Sequence, residues 1–302
     1  MSKHNWTSAD ISDQKGEVII ITGANSGIGL EAAKVLSAKN ALVIMAVRDL
    51  DKGEKAFREI SGKAPLTNVS LMQLDLSDMD SIHQFASTFR SKYGRLDVLM
   101  NNAGVMYPAK REVTKQGFEI QIGTNHLGHF ALTGLLLDVI KKTPHSRVVT
   151  QSSLAHINAS IRLDDLNWEK TYSKMQAYGQ SKLANLLFTY ELDRRLKAHH
   201  IDAIATAAHP GVSKTNLMRT SGFIIELFTP LVAQSAEMGA LPILRAATDE
   251  QLKGGEYIGP DKILGLHGYP IIVKSNRKSY DVQLAIGLWA LSEKMTGVHF
   301  DF

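Results

Sequence analysis

The stretch Glu17-Val18-Ile19-Ile20-Ile21-Thr22-Gly23-Ala24-Asn25-Ser26-Gly27-Ile28-Gly29 decides the fold of this chain. Its first part is a short β-branched run, which is typical of a strand, and residues 30–39 behind it have the apolar spacing of a helix. Glycine permits a tight turn and lets backbone N–H groups approach a pyrophosphate at the start of the helix, where the helix dipole favours anions. The stretch therefore predicts a strand, turn and helix that bind a nucleotide. An ordinary glycine turn is the alternative interpretation.

Strand-like and helix-like segments alternate along the chain behind this stretch. Further apolar runs cover residues 42–47, 69–74, 96–100, 146–151 and 201–207. Helix-like stretches between them cover residues 51–61, 80–92, 117–141 and 175–197. Continuous apolar runs are typical of parallel strands that are buried on both faces. The pattern predicts an α/β fold, a single Rossmann-type doubly wound parallel sheet with helices on both faces.

No linker, internal repeat or low-complexity segment divides the 302 residues. We therefore expect one dinucleotide-binding catalytic domain over residues 1–302. Within it, residues 15–212 would form the cofactor and catalytic core. Residues 213–302 would form a substrate lid and a C-terminal extension.

Composition and charge exclude several classes of function. The net charge of +4 arises from scattered Lys and Arg residues, so no nucleic-acid partner is expected. The absence of cysteine excludes disulfides, thiolate metal sites and a cysteine nucleophile. The polar first residues do not resemble a signal peptide, and no apolar run is long enough for a transmembrane segment. We expect a cytoplasmic protein, with peripheral membrane contact left open.

Tyr178 and Lys182 are four residues apart in a helix-like stretch, so their side chains project from the same helix face. A free tyrosine ionises at roughly pH 10, and a neighbouring ammonium favours the phenolate and lowers that pKa. The pair therefore predicts an acid–base group that works near neutral pH. Taken alone, the same spacing is common on helix surfaces.

Four motifs together resemble the short-chain dehydrogenase/reductase family. They are Thr22 to Gly29, Asn101-Asn102-Ala103-Gly104, Tyr178-x₃-Lys182 and Pro210-Gly211. The segments Asn125-His126-Leu127-Gly128-His129-Phe130, Ser181-Lys182-Leu183-Ala184-Asn185 and His209-Pro210-Gly211 resemble its retinol-dehydrogenase-like branch, which includes the WW-domain oxidoreductases. The resemblance implies an NAD(P)-dependent alcohol dehydrogenase or carbonyl reductase that acts on a small-molecule carbonyl or alcohol.

The resemblance also implies a catalytic set of Asn125, Ser153, Tyr178 and Lys182. Ser153 would bind the substrate oxygen, with Ser152 as its competitor for that role. Asn125 would hold a water that passes protons to Lys182, and Lys182 would also bind the nicotinamide ribose. The segment between Ser153 and Tyr178 is long, and we expect residues 155–173 to form an inserted loop at the mouth of the site.

The predicted cofactor-binding residues follow from the glycine turn, from the ends of strands and from the resemblance. They are Gly23, Asn25, Ser26, Gly27, Ile28, Gly29, Arg48, Asp75, Leu76, Asn102, Ala103, Gly104, Tyr178, Lys182, Pro210, Gly211, Val212 and Thr215. Asn102 and Gly104 have an alternative interpretation as a simple turn behind the fourth strand.

Two charged residues bear on the choice of cofactor. Arg48 follows the second strand, where a carboxylate would repel a 2′-phosphate and a guanidinium would pair with it, with Lys52 nearby. We therefore expect NADP(H) rather than NAD(H), although Asp49 weakens the discrimination and Arg48 is alternatively a plain surface residue. Asp75 would contact the adenine or, alternatively, cap a helix.

The sequence says less about the substrate and the assembly. Residues 213–232 are apolar and suit either a lid over a lipophilic substrate or an amphipathic helix on the core or on a membrane. Residues 257–302 are expected to pack around the same mouth. His126 and His129 lie three residues apart, but no third ligand accompanies them, so no metal is predicted. Both a monomer and a homodimer remain open.

Two other functions compete with alcohol–carbonyl interconversion. A nucleotide-sensing or regulatory protein could retain the fold without turnover, although Ser153, Tyr178 and Lys182 would then have no purpose. A reductase of a carbon–carbon double bond is the second rival.

Overall fold

The computed structural model of the chain describes residues 4–62, 68–212 and 234–302. Within these residues, eight strands form one sheet in the order β3-β2-β1-β4-β5-β6-β7-β8. The strands are β1 (Val18–Thr22), β2 (Leu42–Val47), β3 (Val69–Gln73), β4 (Val98–Asn101), β5 (Ser146–Gln151), β6 (Ala203–Ala208), β7 (Tyr257–Lys262) and β8 (His267–Val273).

Helices cover both faces of the sheet, as the apolar runs predict. They are α1 (Gly27–Ala38), α2 (Leu50–Ser61), α3 (Met79–Lys92), α4 (Ile120–Ile122), α5 (Gly128–Leu135), α6 (Leu137–Lys142), α7 (Lys174–Ala198), α8 (Ala236–Thr248) and α9 (Val282–Thr296). Short 3₁₀ turns lie at Ser8–Asp10, Leu154–His156, Ile263–Gly265 and Arg277–Tyr280. One buried apolar layer contains Phe85, Phe130 and Phe188, and the opposite layer contains Leu36 and Ile243. The doubly wound α/β fold is confirmed.

The order of the strands reverses beside β1, which pairs with β2 on one side and with β4 on the other, parallel to both. The carboxyl ends of β1 and β4 therefore open at the same edge of the sheet, where α/β proteins bind their ligands. All five residues of β1 are buried, in agreement with the apolar run that predicts the strand.

The segment predicted as helical over 117–141 is divided into several pieces. It consists of α4, a π-helical turn at Gly123–Leu127, α5 and α6. A π-helical turn shifts the hydrogen bonds of the main chain by one residue and is frequent at functional sites. Asn125 lies inside this turn, which therefore places a predicted catalytic residue at an irregularity of the helix.

The sheet is parallel from β3 to β7, and its last strand departs from the predicted pattern. β8 runs antiparallel to β7, and the turn Ile263–Gly265 joins the two strands. The predicted series of elements ends at residue 207, so β7, β8, α8 and α9 were not predicted. Pro260 and Asp261 interrupt the apolar pattern of β7 and Pro270 interrupts that of β8, and both residue types are depleted in strands.

The hairpin of β7 and β8 reaches the carboxyl end of β6. The backbone N–H of Val212 donates to the carbonyl oxygen of Leu266 at 2.8 Å. Gly211 has φ +63°, and a Cβ there would lie 2.2 Å from the same oxygen. A Cβ on Gly259 would lie 2.0 Å from Nε2 of the buried His209. The hairpin thus packs directly behind the Pro210-Gly211 turn.

Candidate active site

A cavity of about 370 Å³ opens at the carboxyl ends of the central strands. Every predicted cofactor residue that the structure describes lines it, from Gly23 in the first turn to Val212 behind β6. Thr215 and the expected lid at 213–232 lie outside the described residues. Of the predicted catalytic residues, Ser153, Tyr178 and Lys182 line the cavity, and Asn125 lies behind its wall.

Several lining residues were not predicted from the sequence. They are Thr22, Ala46, Leu74, Val105, Met106, Thr124, Gln151 and Ser152. Thr22 and Gln151 are the last residues of β1 and β5. Because ligands bind at the carboxyl ends of parallel strands, applying that rule to every strand would have identified both residues.

The glycine turn is closed against the end of β4. Gly23 has φ +68°, and a Cβ on Gly29 would lie 2.5 Å from the carbonyl oxygen of Gly23 and 2.6 Å from Nδ2 of Asn102. Asn102 Nδ2 in turn donates to the carbonyl oxygen of Thr22 at 2.8 Å. These contacts leave no room for a side chain and fix the backbone at the start of α1.

The first turn of α1 is suited to bind an anion. Its N-cap residue, Ser26, makes no side-chain hydrogen bond to the helix, whereas Asp49 and Asp78 cap α2 and α3. The first N–H groups of α1 therefore face the cavity without a capping side chain, and the helix dipole adds positive potential there. The residues present fit the pyrophosphate of a dinucleotide.

Tyr178 and Lys182 lie within α7, which is buried on all sides from Ala177 to Thr189. The ammonium of Lys182 donates to the carbonyl oxygen of Gln151 at 3.1 Å and lies 5.7 Å from the centre of the Tyr178 ring. Because helix spacing brings the pair to one face, both side chains reach the same cavity, as predicted.

The ionisation of the pair differs from the expectation. Burial raises the pKa of Tyr178 well above its ordinary value, and a hydrogen bond with the Ser153 hydroxyl acts in the opposite direction. Burial also lowers the pKa of Lys182 to about 8. The expected lowering of the phenol pKa by the Lys182 ammonium is therefore wrong for this structure, in which desolvation has the largest effect on the phenol.

The two neighbouring serines have different surroundings. Ser152 is buried and donates to the carbonyl oxygen of Lys182 at 2.8 Å, so its hydroxyl is engaged within the protein. Ser153 is only half-buried, accepts the N–H of Ala155 at 3.2 Å and hydrogen-bonds the Tyr178 phenol. The geometry leaves Ser153, rather than Ser152, beside the phenol.

Asn125 clamps the loop that follows β4. Its Oδ1 accepts the N–H of Val105 at 2.7 Å, and its Nδ2 donates to the carbonyl oxygen of Val105 at 3.0 Å and to Ser181 Oγ at 2.9 Å. A Cβ on Gly104 would lie 3.1 Å from Asn125 Oδ1 and 3.5 Å from Lys182 Nζ. The side chain therefore shapes the cavity wall, and the water-holding role of Asn125 stays a prediction.

Arg48 and Asp49 serve different purposes at the end of β2. Arg48 is exposed and lines the cavity, and among the described residues no carboxylate lies within 4.0 Å of its guanidinium. Asp49 accepts the N–H of Lys52 at 3.1 Å and pairs with its ammonium at 2.9 Å. Asp49 thus caps α2 and holds Lys52, so Arg48 is the charge that faces the cavity.

Asp75 lines the cavity and does not cap a helix. Its Oδ1 accepts the N–H of Ser77 at 2.9 Å and the Ser77 hydroxyl at 2.6 Å. The N-cap of α3 is Asp78, which accepts the N–H of Asp80 at 3.0 Å. The alternative interpretation of Asp75 as a helix cap is therefore wrong.

Tyr107 packs on the catalytic phenol and was missed by sequence analysis. Its ring lies 5.2 Å from the ring of Tyr178, edge to face. Its φ of +53° is unusual for a bulky residue, and its N–H donates to Gln121 Oε1 at 2.9 Å. Backbone strain of this kind clusters at functional sites. No sequence motif signals it, because the contact joins the loop behind β4 to the distant helix α7.

The segment 155–173 packs along α7 beside the site. Gln180 Nε2 donates to the carbonyl oxygen of Leu166 at 2.9 Å, and Gln180 Oε1 accepts the N–H of Arg162 at 3.0 Å. The guanidinium of Arg162 lies 3.9 Å from the ring centre of Trp168. These contacts tie the segment to the helix that carries Tyr178.

His126 and His129 both form hydrogen bonds within the protein. His126 Nε2 lies 2.9 Å from Ser292 Oγ, while His129 hydrogen-bonds Thr22 and Asn125. Within residues 4–62, 68–212 and 234–302, no three His, Asp or Glu side chains come close enough to hold a metal ion. No helix in these same ranges has the length and hydropathy to cross a membrane.

Comparisons with known proteins agree with this arrangement. Residues 17–222 match the family described as short chain dehydrogenase. Human retinol dehydrogenase 13 is 39% identical over 94% of this chain and 85% of its own length. Mouse retinol dehydrogenase 12 is 40% identical over 95% of this chain and 88% of its own length.

Solved structures extend the likeness to the fold. An uncharacterized protein from Mycobacterium Paratuberculosis is 44% identical, with a TM-score of 0.84 over 99% of this chain and 100% of its own. A short chain dehydrogenase from Shigella flexneri complexed with NADP is 24% identical, with a TM-score of 0.64 over 82% of this chain and 98% of its own, a likeness of fold alone. The present chain belongs to the short chain dehydrogenase family and is a retinol-dehydrogenase-like oxidoreductase.

Proposed function

We propose that the protein is an NADP(H)-dependent oxidoreductase that interconverts an alcohol and a carbonyl on a lipophilic substrate. The observation that carries the proposal is one cavity that contains the Tyr178 phenol, Ser153 and Lys182, one helical turn from Tyr178, together with the start of α1, which is suited to bind an anion. A protein that only senses a nucleotide has no use for a proton donor at this place.

Ser153, Tyr178 and Lys182 have different roles in the proposed carbonyl reduction. A bound nicotinamide supplies the hydride that the carbonyl carbon accepts. Ser153 donates a hydrogen bond to the substrate oxygen, and Tyr178 gives its proton to that oxygen as the alcohol forms. Lys182, anchored on the Gln151 carbonyl oxygen, stabilises the phenolate that is left until a solvent proton replaces the lost one. In alcohol oxidation the same transfers run in reverse.

The preference for NADP(H) is supported by Arg48, which faces the cavity while Asp49 is engaged in capping α2. For Arg48→Ala we expect kcat/KM with NADPH to fall about 10- to 100-fold, because a charge-assisted hydrogen bond to a phosphate is lost. The value with NADH should change little. The matched control is Lys52→Ala, which removes an exposed charge that is paired with Asp49. A wild-type preference for NADH would refute the proposed cofactor.

The lipophilic substrate is supported by two observations. Val105 and Met106 line the cavity, and the ring of Tyr107 packs against the ring of Tyr178. The similar proteins from human and mouse are named retinol dehydrogenases. We expect NADPH oxidation to be faster with long apolar aldehydes, retinal among them, than with short polar ones.

The decisive experiment is a carbonyl panel assayed with NADPH, with product analysis and with Tyr178→Phe as the matched variant. Reduction to alcohols that falls at least 100-fold in the variant agrees with the proposal. Cofactor binding without turnover would favour a nucleotide sensor, and saturated carbonyl products from unsaturated substrates would favour a double-bond reductase. Either result would overturn the proposed function.

A further inference from the structure

His129 is a buried histidine whose two ring nitrogens both make hydrogen bonds. Its Nδ1 lies 3.0 Å from the carbonyl oxygen of Asn125, and its Nε2 lies 2.9 Å from Thr22 Oγ1. A carbonyl oxygen can only accept, so Nδ1 carries the ring proton and Nε2 accepts the proton of the Thr22 hydroxyl. These two partners fix both the tautomer and the orientation of the ring.

Thr22 connects His129 to the loop that follows β4. Its hydroxyl oxygen accepts the N–H groups of Asn102 and Ala103, both at 2.9 Å. The hydroxyl proton has two acceptors in reach, His129 Nε2 at 2.9 Å and the Met100 carbonyl oxygen at 3.2 Å, and the shorter contact is to His129. The first half of the loop is therefore held through one hydroxyl that the imidazole orients.

Asn125 holds the second half of the same loop. Its side chain bonds both backbone groups of Val105, while its own carbonyl oxygen accepts from His129. Between the two attachments lies Gly104, where a Cβ would lie 3.5 Å from Lys182 Nζ. His129 thus joins both attachments of the cavity wall that faces the lysine ammonium.

We propose that His129 is a positioning residue that ties Thr22 to Asn125 and so fixes the loop 102–105 against the cofactor and Lys182. The expected effect on kcat rests on the proposed function. The expected effect on NADPH binding does not, because binding is measured without turnover. A purely structural role is the alternative. An apolar side chain would serve that role equally well, because filling the space does not require the two hydrogen bonds that His129 makes.

The test compares His129→Leu with His129→Gln. Leucine fills space but bonds to neither neighbour, whereas the glutamine amide offers one donor and one acceptor. We expect His129→Leu to weaken NADPH binding about 10-fold, measured by fluorescence titration, and to lower kcat by a similar factor, because two buried partners lose their hydrogen bonds. His129→Gln should recover most of both losses.

His126→Leu is the matched control for stability. His126 lies on the same helical segment, is equally buried and bonds Ser292 on α9, away from the cofactor loop. We expect a loss of thermal stability similar to that of His129→Leu, with the Kd for NADPH within about twofold of the wild-type value. Should His129→Leu lower only the melting temperature and leave the Kd and kcat unchanged, the positioning role is refuted.

A double-mutant cycle with Thr22→Val tests the connection itself. Both substitutions break the same Thr22–His129 hydrogen bond, so their effects on the Kd for NADPH should be strongly non-additive. Independent, additive effects would overturn the inference. If the wild type binds NADPH but reduces no carbonyl, the proposed function fails while the titrations still decide the role of His129.

Discussion

At the scale of single residues, Tyr178 combines a buried hydroxyl with access to the cavity. Burial raises its pKa, so the phenol holds its proton at neutral pH and is ready to act as an acid. Lys182, with its pKa lowered to about 8, carries a positive charge through most of the neutral range. In the proposed reaction the pair would therefore favour carbonyl reduction, because alcohol oxidation requires the scarce phenolate.

The raised pKa of Tyr178 predicts that kcat/KM depends on pH for oxidation but not for reduction. Reduction consumes one proton, so the ratio of the forward and reverse kcat/KM values must change about tenfold per pH unit. With the pKa of Tyr178 raised, we expect reduction to be nearly independent of pH between pH 6 and 8 and oxidation to rise about tenfold per unit. The measurement is a pair of pH profiles with one alcohol–aldehyde couple. If kcat/KM for oxidation were independent of pH and kcat/KM for reduction fell as the pH rose, the pKa of Tyr178 would instead be lowered.

Gly104 is a second residue with a defined prediction. A methyl group there would lie 3.1 Å from Asn125 Oδ1, which cannot easily withdraw because Asn125 makes three side-chain hydrogen bonds. We expect Gly104→Ala to raise the KM for NADPH about 10-fold through displacement of the loop, at a cost of about 1–3 kcal/mol in the free energy of unfolding. An unchanged KM would show that the wall has more room than the structure indicates.

At the scale of elements, the start of α1 depends on close approach between two backbones. Gly29 lies on the first turn of α1 and faces the Gly23 carbonyl oxygen and the Asn102 side chain. This contact joins the carboxyl ends of β1 and β4, so the nucleotide turn and the loop 102–105 form one unit.

Substitution of Gly29 tests this packing. In Gly29→Ala the new Cβ would lie 2.5 Å from backbone, so we expect a loss of about 1–3 kcal/mol in the free energy of unfolding and at least 10-fold weaker NADPH binding. The control is Gly94→Ala, where a Cβ meets nothing within 4 Å and the change should stay within about 0.5 kcal/mol. Equal stabilities of the two variants, measured by urea unfolding, would contradict the prediction.

Elements with a strong local pattern were predictable, and contacts between distant segments were not. The β-branched run before Gly23 indicated β1, and strand-end geometry indicated Asn102 and Gly104. β7 was not predicted because Pro260 and Asp261 interrupt its apolar pattern. The Tyr107–Tyr178 contact escaped prediction because it depends on a backbone conformation that residue types do not encode.

At the scale of the whole molecule, stability is linked to pH by four buried histidines with lowered pKa values: His126, His129, His156 and His209. Burial lowers the pKa values of His126 and His209 to about 3 and that of His129 to about 4. The unfolded chain binds these protons at roughly pH 6.5, so protonation favours unfolding below that pH. Burial raises the pKa of Glu17 to about 7 in the folded state, so protonation of this carboxyl below pH 7 favours folding.

We therefore expect the free energy of unfolding to fall as the pH drops from about 6.5 towards 4. Each histidine contributes up to about 1.4 kcal/mol per pH unit in this window, and we expect the four together to exceed the opposing effect of the raised pKa values of Glu17, Glu119 and Asp193. Urea titrations at half-unit steps between pH 5 and 8 measure this slope. A stability that rises on acidification would contradict the assignment.

The hairpin of β7 and β8 packs behind the Pro210-Gly211 turn, and Val212 bonds Leu266 within it. Asn276, farther on, donates through its Nδ2 to the carbonyl oxygen of His156, next to the catalytic serine. Removal of residues 257–302 would take away both supports at once. We therefore expect such a truncation to weaken nucleotide binding, although none of the removed residues lies in the glycine turn.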